Sequence, residues 1–290
     1  MSSGATGDWV DMSLRLKFLS TPVYAPLQLP CVLPLIRKGQ LMAEVTLAEL
    51  AELGVEFPPT EDELPYDDGM PMESQRHAIQ LQLLMDPLRL YWTDRHDVFV
   101  VGNMFVYFSL EQVRNQDFRG PDFFVALGVP KRERKSWVVW QEGKGPDVVI
   151  ELLSDSTAAR DKGEKKFIYQ DRLRVPEYFW FDPFSGECVG FTLRDGVYVP
   201  IVMDAQERLF SQQLDLVLVQ WEGIYQDLHA RWLRWATVTG GLLPTPQEAL
   251  EQEQQRAAEA QQRAAEAQQQ AIALEALLAR YRERFGDIPQ

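Results

Sequence analysis

The ten residues Gly145-Pro146-Asp147-Val148-Val149-Ile150-Glu151-Leu152-Leu153-Ser154 constrain the fold more than any other part of the chain. Five of the six positions from Val148 to Leu153 are aliphatic, the pattern of a strand covered on both faces and therefore central in a sheet. Glu151 sits in the middle of that strand. An ionised carboxylate in such a place is costly unless a cation or hydrogen-bond donors compensate it. Strand alternation puts Asp147, Val149, Glu151 and Leu153 on one face, so both acids can point the same way. On this strand alone, a structural glutamate paired with a lysine or arginine accounts for the pattern as well as a functional acid does.

The neighbouring segments supply the rest of a sheet. Val98–Val101, Phe123–Leu127, Trp137–Trp140, Tyr178–Phe181, Cys188–Leu193 and Val197–Val202 read as short apolar strands, the last two joined at Arg194-Asp195-Gly196. Met104–Phe108 reads as a further strand, with Gly102-Asn103 as a hairpin-type turn before it. A helical pattern begins near Met72 and meets a break at Pro87. A second helix is expected from about Thr157 to Leu173. Strands flanked by helices indicate an α/β (α+β) domain of at least five strands. Trp221, Tyr225, Leu228, Trp232 and Trp235 have helical spacing and predict a helix packed on the core.

Residues 1–64 read as an N-terminal extension, with prolines through 22–34 and a short helix expected from Thr46, where Thr46 and Glu49 fit a capping box. Residues 65–240 form the expected main domain. After Gly240-Gly241, the Thr245, Pro246, Glu248 pattern starts a helix over 245–286. Its QQRAAEA repeat places Leu250, Ala257, Ala264, Ala271, Leu278 and Phe285 at one heptad seam position and Ala260, Ala267, Leu274 and Tyr281 at the other. A coiled coil or a long solvated helix is the expectation, with self-association into a homodimer through the coiled coil.

Composition excludes several classes. No run of about 18 apolar residues exists, so no transmembrane helix is expected, and no signal peptide is visible. Two cysteines, Cys31 and Cys188, without metal spacing suit a reducing, cytoplasmic setting. A net charge of −14 argues against a chain that coats nucleic acid. The charge is uneven: residues 1–73 carry 12 acidic and 4 basic side chains, whereas residues 119–174 carry 9 acidic and 12 basic.

The chemistry concentrates in that less acidic stretch. Pro121-Asp122 opens the strand Phe123–Leu127, 29 residues before Glu151. Two neighbouring strands each presenting a carboxylate form an oxygen-ligand site suited to Mg²⁺. In Arg160-Asp161-Lys162-Gly163-Glu164-Lys165-Lys166-Phe167-Ile168-Tyr169, positions 161, 165, 168 and 169 share a helix face directed at the sheet. Lys165 on that face can hold an attacking water or neutralise a phosphate; a plain ion pair with Asp161 or Glu151 is the alternative. Lys166, on another face, is expected in solvent.

The ordered blocks GNMFVYF, RGPDFFVALGVPKRERKSWVVW, GPDVVIELLSDST, RDKGEKKFIY and VPEYFWFDP, with DDGMPMESQRH upstream, resemble the restriction-endonuclease family of the Uma-two type, a branch of the PD-(D/E)XK nucleases. The resemblance covers roughly residues 65–220. It implies a restriction-endonuclease-like αβββαβ core with a mixed sheet, and Mg²⁺-dependent hydrolysis of DNA with Mn²⁺ as a substitute. The carried-over site is Asp122, Glu151 and Lys165, with Asp122, Glu151 and Asp147 as metal ligands and Asp147 and Glu73 as accessory acids. The superfamily's lysine two residues after the glutamate is Leu153 here, and the matching position is Lys165 on the following helix. His77, one turn after Glu73, fits a structural role better than a catalytic one. Two rival functions share these residues: a catalytically silent nuclease fold that assembles through its coiled coil, and a phosphoester hydrolase acting on RNA or nucleotides.

Overall fold

The computed structural model describes residues 32–37, 40–46, 57–66, 74–114, 120–154 and 157–286. A hairpin of β1 (Val32–Arg37) and β2 (Gln40–Thr46) is antiparallel with a register irregularity between Leu35 and Ile36. Proline at 34 led away from a strand assignment there, but proline is tolerated in a strand that pairs on one side only. The helix expected after Thr46 lies outside the described residues, as does Glu73. Residues 56–139 and 145–290 make up a second compact unit, which carries the candidate chemistry.

That unit is built on α1 (Gln75–Tyr91), β3 (Val98–Gly102), β5 (Phe123–Leu127), β7 (Val148–Leu152), a helical segment α4 (residues 158–172) and β8 (Glu177–Phe181). This is the αβββαβ order. Two more strands, β9 (Cys188–Arg194) and β10 (Val197–Ile201), complete a six-stranded sheet of order β10-β9-β8-β7-β5-β3. Its pairs are antiparallel except β7 with β8, which run parallel, so the sheet is mixed. β7 and β8 are central, and every residue of both is buried. Between these elements lie β4 (Val106–Tyr107), α2 (Leu110–Arg114), β6 (Trp137–Val138) and α3 (Val139–Glu142); β4 pairs with β6 in parallel. Gly102-Asn103 is therefore a turn without a hairpin: β3 pairs with β5 because Phe123 and Phe124 offer it a longer apolar partner than Val106–Tyr107 can.

The period-2 alternation divides the core into two layers. Phe123, Val125, Val148, Ile150, Leu152, Phe179 and Phe181 face α1 through Leu81, Leu84 and Leu88. Phe124, Ala126, Val149, Leu153, Tyr178 and Trp180 face the other side, where α4 contributes Tyr169. α1 continues through Pro87 to Tyr91 without ending there. Its side chains explain why: Leu84 and Leu88 are fully buried on either side of the proline, and that apolar area outweighs one lost backbone hydrogen bond.

The helix expected over Trp221–Trp235 is instead a hairpin. β12 (Leu216–Tyr225) pairs with β13 (Leu228–Thr237), and β11 (Leu209–Ser211) joins β12. Trp221 faces Trp232 and Tyr225 faces Leu228 across the ladder, so side chains four apart along each strand share a face and meet their partners by cross-strand register. The two-residue turn Gln226-Asp227 has φ of 47° and 60°, a left-handed geometry usually announced by Asn-Gly, which hid it from the sequence pattern. α1 is tied to this sheet by Gln80, whose buried side-chain amide donates to the carbonyl of Leu233 and accepts from its N–H. The Trp235 indole donates to Leu84 O.

α5 (Pro246–Phe285) is one 40-residue helix. Thr245 and Glu248 form the expected reciprocal capping box, and Glu248 pairs with buried Arg234 on β13, which anchors the helix start. Its apolar residues Leu250, Ile272, Leu274, Leu277, Leu278 and Tyr281 are exposed. Among the described residues no helix is long and apolar enough to cross a membrane.

Candidate active site

The antiparallel register of β5 and β7 ends with Phe123 opposite Ile150. The next residues, Asp122 and Glu151, therefore come level where the two strands part, both on the α4 side of the sheet. They hold each other in place. The Asp122 backbone N–H donates to Glu151 Oε2 at 3.4 Å, and the Leu152 N–H donates to Asp122 Oδ2 at 2.7 Å. Glu151 is completely buried, whereas Asp122 is partly exposed at the strand opening.

α4 supplies the remaining groups. Lys165 Nζ lies 3.0 Å from Glu151 Oε2 and 2.8 Å from Asp161 Oδ1. The Tyr169 hydroxyl donates to Glu151 Oε1 at 2.5 Å. Asp161, Lys165 and Tyr169 are four residues apart. In regular α-helix each such step leads by about 40°, so the third residue would swing about 80° off the first. Here Asp161–Lys165 and Ile168–Arg172 are wound as π-turns, which take more residues per turn and keep the three side chains in one file over the sheet. Such turns recur where a helix presents functional groups.

The structure thus brings together Asp122, Glu151 and Lys165, and it adds Asp161 and Tyr169. The sequence placed both on the inward face, Asp161 only as an alternative ion-pair partner of Lys165 and Tyr169 without a role; their four-residue spacing with Lys165 was the available signal. Both ion pairs held as alternatives for Lys165 are present at once. Lys166 is not free in solvent as expected: its ammonium lies 3.7 Å from the centroid of the Phe191 ring, since the slower winding turns it back toward β9.

Asp147 is not part of this group. It sits four residues earlier on the same strand face, about 13 Å away at ~3.3 Å per residue, and its Oδ2 accepts from the Leu127 N–H at 2.6 Å. That bond closes the opposite end of the β5–β7 pair. Asp147 is too distant to share an ion with Glu151. His77 is buried on α1, with Nε2 3.1 Å from Leu153 O and Nδ1 2.7 Å from Ser74 Oγ. The carbonyl can only accept, so Nε2 is the donor in that bond. His77 fastens the end of β7 to the start of α1, as a structural histidine does.

Charge is the distinctive property of the site. Three carboxylates, Asp122, Glu151 and Asp161, surround one ammonium. Burial pushes the Glu151 carboxyl up to about 8, opposed by Lys165 and reinforced by Asp122. Burial also raises Asp122, against the pull of Lys165. For Lys165 burial works against the charge, but Glu151, Asp122 and Asp161 outweigh it and hold the ammonium protonated. Burial and the adjacent Glu151 charge raise the Tyr169 hydroxyl well above its usual range, so it remains a donor. Asp161 is 1% exposed, and its Oδ2 has no donor among the described residues.

A pocket with more carboxylate oxygens than its own donors satisfy fits a hard divalent cation, which prefers one or two carboxylates plus water. Among the described residues no three His, Cys, Asp or Glu side chains form a ready-made ion cage. Asp122 and Glu151, level at the strand opening, are two carboxylates that could share an ion. A small pocket beside the site is lined by Phe108, Pro121, Lys165, Ile168 and Tyr169.

A family profile described as "Uma2: Putative restriction endonuclease" matches residues 55–224, more than half of the chain. A crystal structure of a putative nuclease from Anabaena variabilis matches at 16% identity over 64% of this chain and 94% of that one. Its TM-score is 0.36, so no structural detail is drawn from it. No curated protein matches.

Proposed function

Since the chain belongs to the Uma2 family, described as "Putative restriction endonuclease", we propose that it hydrolyses phosphodiester bonds in DNA at the site formed by Asp122, Glu151 and Lys165. The observation that carries this reading is the convergence of two strand-borne carboxylates and one helix-borne ammonium at the open end of β5 and β7. Asp122 and Glu151 would hold Mg²⁺, or Mn²⁺ in its place, which when bound activates water and offsets charge on the phosphoryl group.

The chain's own residues would then divide the remaining work. Tyr169 donates to Glu151 Oε1 and leaves Oε2 as the oxygen facing Lys165 and Asp122. Lys165, kept protonated by its carboxylate neighbours, is positioned to steady the nucleophilic water or the developing negative charge. α5, with exposed Leu274, Leu278 and Tyr281 along its final turns, would join two chains as a coiled coil and so pair two sites.

Plasmid DNA supplies the test. Purified protein with Mg²⁺ is expected to nick and linearise it, and Glu151→Ala to remove the activity while the protein stays folded. Full cleavage by Glu151→Ala would refute the site. A second reading, a silent nuclease fold used for assembly, is favoured by Lys165 already occupying Glu151 Oε2. It predicts a dimer that neither binds Mn²⁺ nor cuts DNA or RNA.

A further inference from the structure

Lys165 is held by two carboxylates where one would neutralise it. Glu151 Oε2 is 3.0 Å and Asp161 Oδ1 is 2.8 Å from the ammonium. Asp161 is 1% exposed, and no described residue donates to its second oxygen. A buried carboxylate left this incompletely satisfied costs stability. A surface helix has no need of it, because an i, i+4 ion pair at this position could sit in solvent. The π-turn at Asp161–Lys165 is what aims Asp161 inward with the lysine.

We propose that Asp161 is a positioning residue for Lys165: it is the second counter-ion that keeps the ammonium at the site when Glu151 is committed to a divalent cation. This rests on the reading of Asp122 and Glu151 as the cation-holding pair. In the metal-free protein Lys165 bridges Glu151 and Asp161. With Asp161 present, Glu151 can be released from the ammonium without stranding a buried positive charge. Without Asp161, Lys165 has Glu151 as its closest remaining counter-ion and competes for that carboxylate.

Mn²⁺ affinity measured by calorimetry separates this role from its rivals, using wild type, Asp161→Asn, Lys165→Met and the double variant. Asp161→Asn should weaken Mn²⁺ binding about 10- to 100-fold, the range for residues that orient metal ligands from behind. In the Lys165→Met background the same substitution should change affinity by no more than about twofold, because no ammonium is left to compete. Asp161→Glu, which restores the charge, should recover most of the loss and serves if the asparagine variant folds poorly.

An Asp161→Asn protein with reduced Tm and unchanged Mn²⁺ affinity would show a merely structural ion pair and overturn the proposal. A loss that persists undiminished in the Lys165→Met background would make Asp161 a direct ligand, and would overturn it too. Wild-type protein that binds no Mn²⁺ would bring down the nuclease reading together with this inference, whereas the first two outcomes leave that reading intact.

Discussion

Glu151 and Glu177 are both buried glutamates on the adjacent parallel strands β7 and β8, and they are satisfied in opposite ways. Glu177, level with Val148 at the start of the pair, accepts from the Ser211 hydroxyl at 2.5 Å and from the N–H groups of Gln212 and Gln213 at 2.7 and 3.2 Å. Its partners are neutral, fixed to one turn, and shared with no other acid that they touch. Glu151, at the other end, accepts from the Tyr169 hydroxyl and the Asp122 N–H, but it shares its cation, the Lys165 ammonium, with Asp161 and the nearby charge of Asp122. Burial raises both carboxyls. A buried acid is therefore no sign of chemistry by itself. The partner set decides: fixed neutral donors make a joint between β8 and the β11–β12 turn, and an over-subscribed cation makes a site with room for another.

The largest expected difference between them is catalytic. Glu151→Ala should cut DNA hydrolysis by at least about 10³-fold, or ~4 kcal/mol of barrier, whereas Glu177→Ala should keep the specific activity of the folded fraction. Plasmid cleavage normalised to folded protein reads both, and equal losses would break the comparison.

Stability should show the reverse ranking. Glu177→Ala strands three donors and is expected to cost about 2–3 kcal/mol, measured by urea unfolding. Glu151→Gln, which removes one charge from a crowded group, should cost less than this or even stabilise the metal-free protein.

How far these contrasts could be read from the chain depends on the kind of signal. Glu151 stood out because a charge interrupted an aliphatic run, and Asp122 because it opens the adjacent strand. Glu177 carried no such mark: Pro176-Glu177 reads as an ordinary strand entry, and its partners lie more than thirty residues away in Ser211 and Gln212. Asp147 shared the face of Glu151, yet periodicity fixes a face and says nothing about which end of the strand a side chain serves. Lys165 was found by helix phase, although the winding that keeps Asp161 and Tyr169 in file departs from the phase assumed. The Trp221–Trp235 segment failed for a related reason, since strand alternation and helix pitch both put residues four apart on one face. The strands flanked by helices and the capped C-terminal helix were readable because apolar runs and capping residues act locally, whereas the αβββαβ order came only with the family resemblance.

A smaller effect concerns pH. The Glu151 carboxyl in the folded chain lies at about 8, above its unfolded value near 4.5. The folded state therefore binds the extra proton between these values. This contribution to stability is complete below the unfolded value and is lost as pH rises through about 8. The metal-free protein should gain on the order of 1 kcal/mol per unit as pH falls from 8 toward 5, and Glu151→Gln should flatten that slope. Chemical unfolding at several pH values in a chelator reads it; an unchanged slope in the variant would assign the dependence elsewhere.

The smallest predicted change is Tyr169→Phe. It removes one hydrogen bond to Glu151 Oε1 and should cost about 1 kcal/mol of stability. Cleavage should fall more than stability does, because the carboxylate loses its fixed orientation. Loss of stability without loss of kcat would place Tyr169 with the structural donors around Glu177.

The most direct test is a crystal structure of the protein soaked in Mn²⁺, read by anomalous scattering. The account predicts one peak per chain, in contact with carboxylate oxygens of both Asp122 and Glu151 at about 2.0–2.2 Å, a distance usual for small hard cations, with Lys165 moved off Glu151. No peak between these two side chains, with the Lys165 ammonium still on Glu151 Oε2, would contradict it.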